Sequence, residues 1–431
     1  MIFTTKCKRL HKSGRGKVPV IMEGKSEFYV KHEKELRRIL KKVREELLFE
    51  VVPFWEKRVV DREYPGYLNC FDRQGDLIDV RKPGWFVGRT MYTFAALYNT
   101  MEKRQQWLEI ARAGRTFMNG SFYAGRGRFQ QMMSRDGRVL NGPVSIFTDH
   151  FAVKGLYEYV KACPRQEGQR DKELAGQLSD ILFRNVNDPG VLAAEGIPLG
   201  FQKHAVNFMT LLVALESREL FGRRYGDILK NCVEKSLYEF ASDAYEAPFE
   251  YIGTDGKPKP EGEGRLIDPG HTMEAMWFSM KAGKKCGNTE YGKRAMQVLD
   301  WVIERCYDEE YGGFYQHVDL DGALEERFKT NTYADVLAAW DDKIWWVQAE
   351  CLYALAMSAL YNENERHYDY FLKMYDYVQM YFRDKKYGEW YSILKRDGTL
   401  KWDDKGSELK GAYHVPRCLM QLTVLIKEYL Q

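Results

Sequence analysis

Asp268-Pro269-Gly270-His271-Thr272-Met273-Glu274-Ala275-Met276-Trp277-Phe278 is the stretch whose reading decides the fold. Asp268 can accept from the free N–H groups that open a helix, and Pro269 suits the first helical position, where its missing donor costs nothing. The helix then carries Met276, Trp277 and Phe278 on successive sides, so it has to be surrounded by protein. His271 and Glu274, three apart, share a face of the first turn. The partial positive charge at a helix start favours a neutral imidazole and a developing oxyanion there.

Other helices sort into that apolar kind and a one-striped kind. Trp85 to Tyr98 and Ile344 to Tyr361 are apolar on most sides; Lys103 to Met118 has one stripe through Trp107, Ile110, Ala111 and Phe117. Tyr368 to Phe382 repeats the striped pattern, and an amphipathic helix from Glu27 runs to about Val52 through Leu36, Ile39, Leu40, Val43 and Leu47. Between helices, short strand-like runs lead to turns closed by Gly75, Gly137, Gly256, Gly322 and Gly398, spaced by 62, 119, 66 and 76 residues. The double gap predicts a degenerate sixth member at Asn187-Asp188-Pro189-Gly190. Asp-Gly favours tight hairpins, so each unit is expected to carry a small β-ribbon. Six pairs of surrounded and striped helices close into an (α/α)6 barrel, an all-α fold with short β-hairpins in its loops. An open solenoid is the competing arrangement, but the units differ in sequence and neither end reads as a polar cap. Residues 1–24 are expected to be a basic N-terminal tail, and 25–431 one barrel domain.

Composition narrows the function. The chain has 431 residues, 45% hydrophobic and 14% aromatic, with a formal net charge of +3. That balance calls for no nucleic acid, and no apolar run is long enough to span a membrane. The basic start lacks the apolar segment of a signal peptide. Eight scattered cysteines without a Cys-x-x-Cys pair predict a reducing, cytoplasmic setting, no disulfides and no zinc, and leave a metal site only to residues distant in sequence.

Inner helices of such a ring run in parallel, so their N-terminal ends share one mouth. There the chain is polar where packing does not demand it. Gly88-Arg89 precedes Tyr92, the Pro269 segment supplies His271 and Glu274, and Lys343-Ile344-Trp345-Trp346 leads to Glu350. Tyr413-His414-Val415-Pro416-Arg417 opens the last helix. Buried Arg and Glu are costly unless paired or functional. Either ion pairs stitching helices together or an active site explains them.

These four motifs together resemble the N-acylglucosamine 2-epimerase family, which includes renin-binding protein, over about Tyr67 to Leu425. The resemblance implies an (α/α)6 barrel, isomerase activity and a catalytic set of Arg89, His271, His414 and Glu350. Glu274 matches a further carboxylate expected to orient a histidine. Tyr92, Trp345, Trp346, Lys343 and Arg417 are expected to contact the sugar. Inverting C2 of an open-chain aldose needs a base on each face, which His271 and His414 would supply, and a cation for the enediolate oxygen, which Arg89 would supply. No metal or redox cofactor is required; ATP as an allosteric activator is implied by resemblance alone. A small sugar is the expected partner, and a homodimer is left open.

The relatives acting on cellobiose or mannose place a third histidine in an Asn-x-His context. Here that region reads Lys203-His204-Ala205-Val206-Asn207-Phe208-Met209, with Met209 in the matching place. This leans toward N-acylglucosamine/N-acylmannosamine interconversion, with cellobiose 2-epimerase or aldose–ketose isomerase as alternatives. A glycoside hydrolase built on paired carboxylates drawn from Asp149, Glu274 and Glu350 is a further class, and non-catalytic partner binding a third.

Overall fold

The computed structural model describes residues 25–324 and 338–431. The expected tail, residues 1–24, and its Cys7 lie outside the described residues. Among the described residues, twelve helices of nine residues or more form the body. Six are inner: Gly84–Thr100, Ile146–Ala162, His204–Phe221, Pro269–Cys286, Trp345–Asn362 and His414–Tyr429. Each packs on the next, and the last packs on the first, so the ring closes. Six outer helices, Glu27–Glu46, Gln105–Met118, Arg165–Asn185, Gly226–Glu234, Thr289–Cys306 and Glu365–Tyr377, each back one inner helix. Glu27–Glu46 backs His414–Tyr429, so the first helix in sequence completes the last pair in space.

Burial follows the two helix types. Every residue from Val347 to Leu360 is buried, as a helix between the barrel centre and the outer ring requires. The outer helix Thr289–Cys306 instead buries a stripe through Tyr291, Ala295, Val298, Leu299 and Val302. Inner helices Gly84–Thr100 and Ile146–Ala162 approach closest. A Cβ on Gly88 would strike the backbone of Phe151, and one on Gly155 the carbonyl of Gly88. That contact sets the depth of Arg89.

The β-structure is a series of hairpins only in part: strands pair across the turns at Gly75, Gly137 and Gly398, Cys70–Phe71 with Leu77–Asp79, Met132–Met133 with Val139–Asn141 and Ile393–Leu394 with Leu400–Trp402. The five turn glycines do adopt positive φ, from 78° to 91°. However, Tyr251–Gly253 pairs with Phe201–Lys203, and Leu266–Ile267 with Val318–Asp319, so strands beside Gly256 and Gly322 join different units. Two more inner helices follow this pattern, Lys82–Pro83 pairing with Met132–Met133 and Lys343–Ile344 with Ile393–Leu394, whereas Val139–Asn141, before Ile146–Ala162, pairs back with Met132–Met133. Before four of the inner helices a strand thus bonds to a strand some fifty residues on, which ties those helix starts into one rim. The Phe71–Gly406 bridge closes this rim. Asn187-Asp188-Pro189-Gly190 is no ribbon: Asp188 accepts from Gly190 N and caps a short helix, Pro189–Leu192. Pro189 cannot donate to a ladder but suits a helix start.

All seven described cysteines are free thiols, and no described helix is long and apolar enough to cross a membrane.

Candidate active site

The first turns of three inner helices carry the centre. Asp268 caps Pro269–Cys286 as expected: its Oδ1 accepts from His271 N at 2.9 Å. Its other oxygen lies 3.1 Å from His271 Nδ1, and Glu250 Oε2 lies 3.1 Å from the same atom. Burial opposes a charge on this imidazole, but Asp268 and Glu250 outweigh it and lift His271 to about 9. The neutral imidazole expected at a helix start is therefore corrected. Two carboxylates at hydrogen-bond range act more strongly than a helix terminus. Burial pushes Asp268 up, while His271 holds Glu250 down and ionised.

His414 has the opposite character. Its Nδ1 lies 2.7 Å from Glu350 Oε1, so Nδ1–H donates to the carboxylate and Nε2 keeps its lone pair. Burial, then the guanidiniums of Arg89 and Arg417, hold His414 well below the ordinary imidazole range. Glu350 alone would favour the charged form, but its charge is shared. Arg417 donates to both Glu350 and Glu274, and Trp277 Nε1 donates to Glu350 at 3.0 Å. Two environments thus push two histidines apart, the arrangement that sets one as acid and the other as base.

Trp346 neighbours both, its ring centroid 5.2 Å from that of His271 and 5.7 Å from that of His414. Phe208 covers His271 from another side at 5.1 Å. Arg89 is buried, without a carboxylate partner among the described residues. Its guanidinium lies 4.0 Å from the Phe151 centroid and 5.0 Å from that of Tyr413, and its Nε has no hydrogen-bond partner. Burial lowers its pKa to about 10, which leaves it charged at neutral pH. A desolvated, unpaired guanidinium is poised for an incoming anionic oxygen.

The other expected residues are placed as follows. Glu274 bonds Arg417 at 2.6 Å rather than a histidine, so the orienting role falls to Glu350. Arg417 also donates to the Tyr413 hydroxyl at 2.8 Å; buried and fully engaged, it braces the site from beneath. Tyr92 is buried below the Tyr413 ring, with the Lys154 ammonium 3.2 Å from its centroid. Two expected contacts are set apart. Lys343 is turned away from the histidines, its ammonium buried 3.0 Å from Asp308. Trp345 is buried, with the Lys410 ammonium 5.9 Å from its ring. Adjacent residues at a helix start point in different directions, so Trp346 faces the site and Lys343 and Trp345 do not.

Glu250 was missed as a site residue because its run, Pro248 to Tyr251, reads as a strand. Asp268 was legible only as a cap. His204 is structural: it is buried, 3.2 Å from Ser236 Oγ and stacked on Phe240. Two clusters have the composition of metal ligands, Glu250 with Asp268 and His271, and Glu274 with Glu350 and His414. Protein cations already balance both: the His271 imidazolium in the first and Arg417 in the second.

The family model for N-acylglucosamine 2-epimerase (GlcNAc 2-epimerase) matches residues 66–418. The chain is 28% identical over 412 residues to N-acylglucosamine 2-epimerase of Mus musculus, covering 93% of this chain and 94% of that protein. It is 21% identical over 406 residues to cellobiose 2-epimerase of Bacteroides fragilis, covering 88% and 97%. Among solved structures, cellobiose 2-epimerase from Spirochaeta thermophila superposes with a TM-score of 0.77 at 18% identity, over 93% of this chain and 99% of that one, which shows the shared barrel fold. A helical barrel whose mouth pairs two histidines with an unpaired arginine, matched by the family model over most of its length, belongs to the N-acylglucosamine 2-epimerase family of isomerase-class carbohydrate enzymes.

Proposed function

We propose that the protein interconverts N-acylglucosamine and N-acylmannosamine by inverting C2. The carrying observation is the pair of histidines beside Trp346, one favoured as the imidazolium and the other as the neutral imidazole. With the open-chain aldehyde bound, His414 Nε2 removes the C2 proton. The C–H electron pair forms the C1–C2 double bond, and the carbonyl pair moves onto O1. Arg89 meets that enolate oxygen. The His271 imidazolium then delivers a proton to the other face of C2, and the carbonyl re-forms. General acid–base catalysis of this kind contributes roughly 10²–10⁴-fold per group. The resting charges favour the epimer whose C2–H faces His414; the other epimer uses the reverse charge state.

The reaction has no net redox change and leaves nothing for a redox cofactor to do. The N-acyl preference is supported by the relatives and by Met209, which stands where the other branch is expected to carry its histidine. The hydrolase alternative is disfavoured by geometry: Glu274 and Glu350 share one guanidinium, and Asp149 is held by Arg128 and by Phe129 N, 2.9 Å away. Free thiols support a cytoplasmic setting. ATP activation and a homodimer stand as proposals alongside; ATP would act outside the proton transfers.

The test is incubation of purified protein with N-acetylmannosamine, N-acetylglucosamine, mannose and cellobiose in deuterium oxide, without NAD or divalent metal, with and without ATP. NMR should show C2 exchange and interconversion of the two N-acetyl sugars. Turnover of cellobiose or mannose with none of the N-acetyl sugars would overturn the assignment.

A further inference from the structure

The proton transfers leave one buried cation unused. Lys203 ends the strand Phe201–Lys203, directly before an inner helix, and pairs with Tyr251, the neighbour of Glu250. The residue is 8% exposed. Its ammonium makes one hydrogen bond among the described residues, to the Glu195 carbonyl at 3.3 Å, and no ion pair. Other deep lysines differ: Lys82, Lys154 and Lys343 each lie 2.8 to 3.0 Å from a carboxylate. An ammonium has three donors, and leaving them unused in a buried place is costly unless something arrives to accept them.

The surroundings indicate what arrives. The Lys203 ammonium lies 5.9 Å from the Phe147 ring, Phe147 meets Trp85 edge-on at 6.2 Å, and the Trp85 ring lies 5.4 Å from the Arg89 guanidinium. An aromatic wall thus runs between two cations. Arg89 stands near Tyr413 and the His414 side; Lys203 acts on Glu250 and His271 at the other end. With the enolate oxygen at Arg89, the C2 substituent has the far end of the wall to occupy. A hydroxyl would leave that end empty. An acylamino group offers a carbonyl acceptor and an apolar methyl.

We infer that Lys203 and Phe147 form the acyl-recognition corner of the site, the ammonium donating to the acyl carbonyl oxygen and the Phe147 ring covering its methyl group. This rests on the C2 chemistry proposed above, so that chemistry is checked first, as turnover of N-acetylmannosamine by the unaltered protein. No turnover there removes the epimerase reading and this inference with it.

The inference itself is read from competitive inhibition of that turnover by two alditols, 2-acetamido-2-deoxymannitol and mannitol. A hydrogen bond from a charged donor makes an affinity difference of about tenfold or more. Lys203→Met should therefore weaken the acetamido alditol about tenfold and mannitol by less than twofold, and Lys203→Arg should recover most of the loss. Phe147→Ala should reduce the acetamido preference while admitting an N-butanoyl analogue. Equal weakening of both alditols by Lys203→Met would mean that the lysine acts only through the charge of His271, and would overturn the inference. Weakening of neither would also overturn it.

Discussion

His271 and His414 both neighbour the Trp346 ring, at centroid distances of 5.2 and 5.7 Å, and the fold drives them to different charge states, His271 toward the imidazolium and His414 toward the neutral imidazole. His271 has two carboxylates on Nδ1; His414 has one, and that one is shared with Arg417. In the proposed reaction this asymmetry prepares the resting protein for one epimer, with base and acid already in their working states.

That asymmetry predicts a pH profile. The direction that uses neutral His414 and protonated His271 should be level through neutrality and fall as pH rises through about 9, where His271 loses its proton. Glu250→Gln removes one of the two charges that raise His271, so the alkaline fall should move to lower pH. The sign for stability is the same. The His271 pKa is raised above its ordinary value of 6.5, so its contribution is complete below that value and lost as pH rises through about 9. Rate–pH profiles of both proteins check this; identical alkaline limbs would contradict it.

Each histidine should serve one face. His271→Asn should abolish net epimerisation yet allow deuterium into the epimer whose C2–H faces His414, and His414→Asn should do the converse. Arg89→Ala should suppress both exchanges, because it serves the shared intermediate. Losses of 10²-fold or more, the scale of one acid–base group, are expected by NMR. Full epimerase activity in either histidine variant would exclude a two-base mechanism.

Arg417 should matter to stability as well as rate. It is 1% exposed and joins Glu274, Glu350 and the Tyr413 hydroxyl. Arg417→Leu leaves two buried carboxylates without their cation, and breaking such a pair costs about 3–5 kcal/mol. Calorimetry should show a clear fall in Tm, larger than that of Glu274→Gln, which keeps a hydrogen-bonding group in place.

Gly270→Ala probes the floor between the histidines. A Cβ there would strike the Trp346 ring and the Val347 side chain, both fixed on the neighbouring inner helix. The indole should be displaced toward the cavity, lowering kcat/KM by at least tenfold while the circular dichroism of the barrel is retained. Unchanged kinetics would mean that the spacing of the histidines does not depend on Trp346.

Much of the barrel is written locally. Apolar residues on every side of Val347–Leu360, and on one stripe of Thr289–Cys306, separate inner from outer helices without reference to anything distant, because helical period and burial act within a few turns. The turn glycines are legible for the same reason: positive φ is a property of one residue. The strand partners are legible only where they meet across the turn itself, as around Gly75, Gly137 and Gly398; Tyr251 instead pairs with Lys203, and a two- or three-residue strand holds no register information.

The site divides along the same line. Which residue types stand at the mouth, Arg89, His271, Glu350 and His414, was readable from motifs at helix starts. What each of them does was decided by tertiary structure. Glu250 reaches His271 from 21 residues away, Glu350 reaches His414 from 64, and Arg417 reaches Glu274 from 143. Lys343, one residue from the helix that carries Trp346, is drawn off to Asp308. Protonation depends on the distance to other charges and on the exclusion of water, and neither exists until the ring closes. The sequence by itself therefore determined the barrel and its cast of side chains; only the closed structure favours the imidazolium at one histidine and the neutral ring at the other.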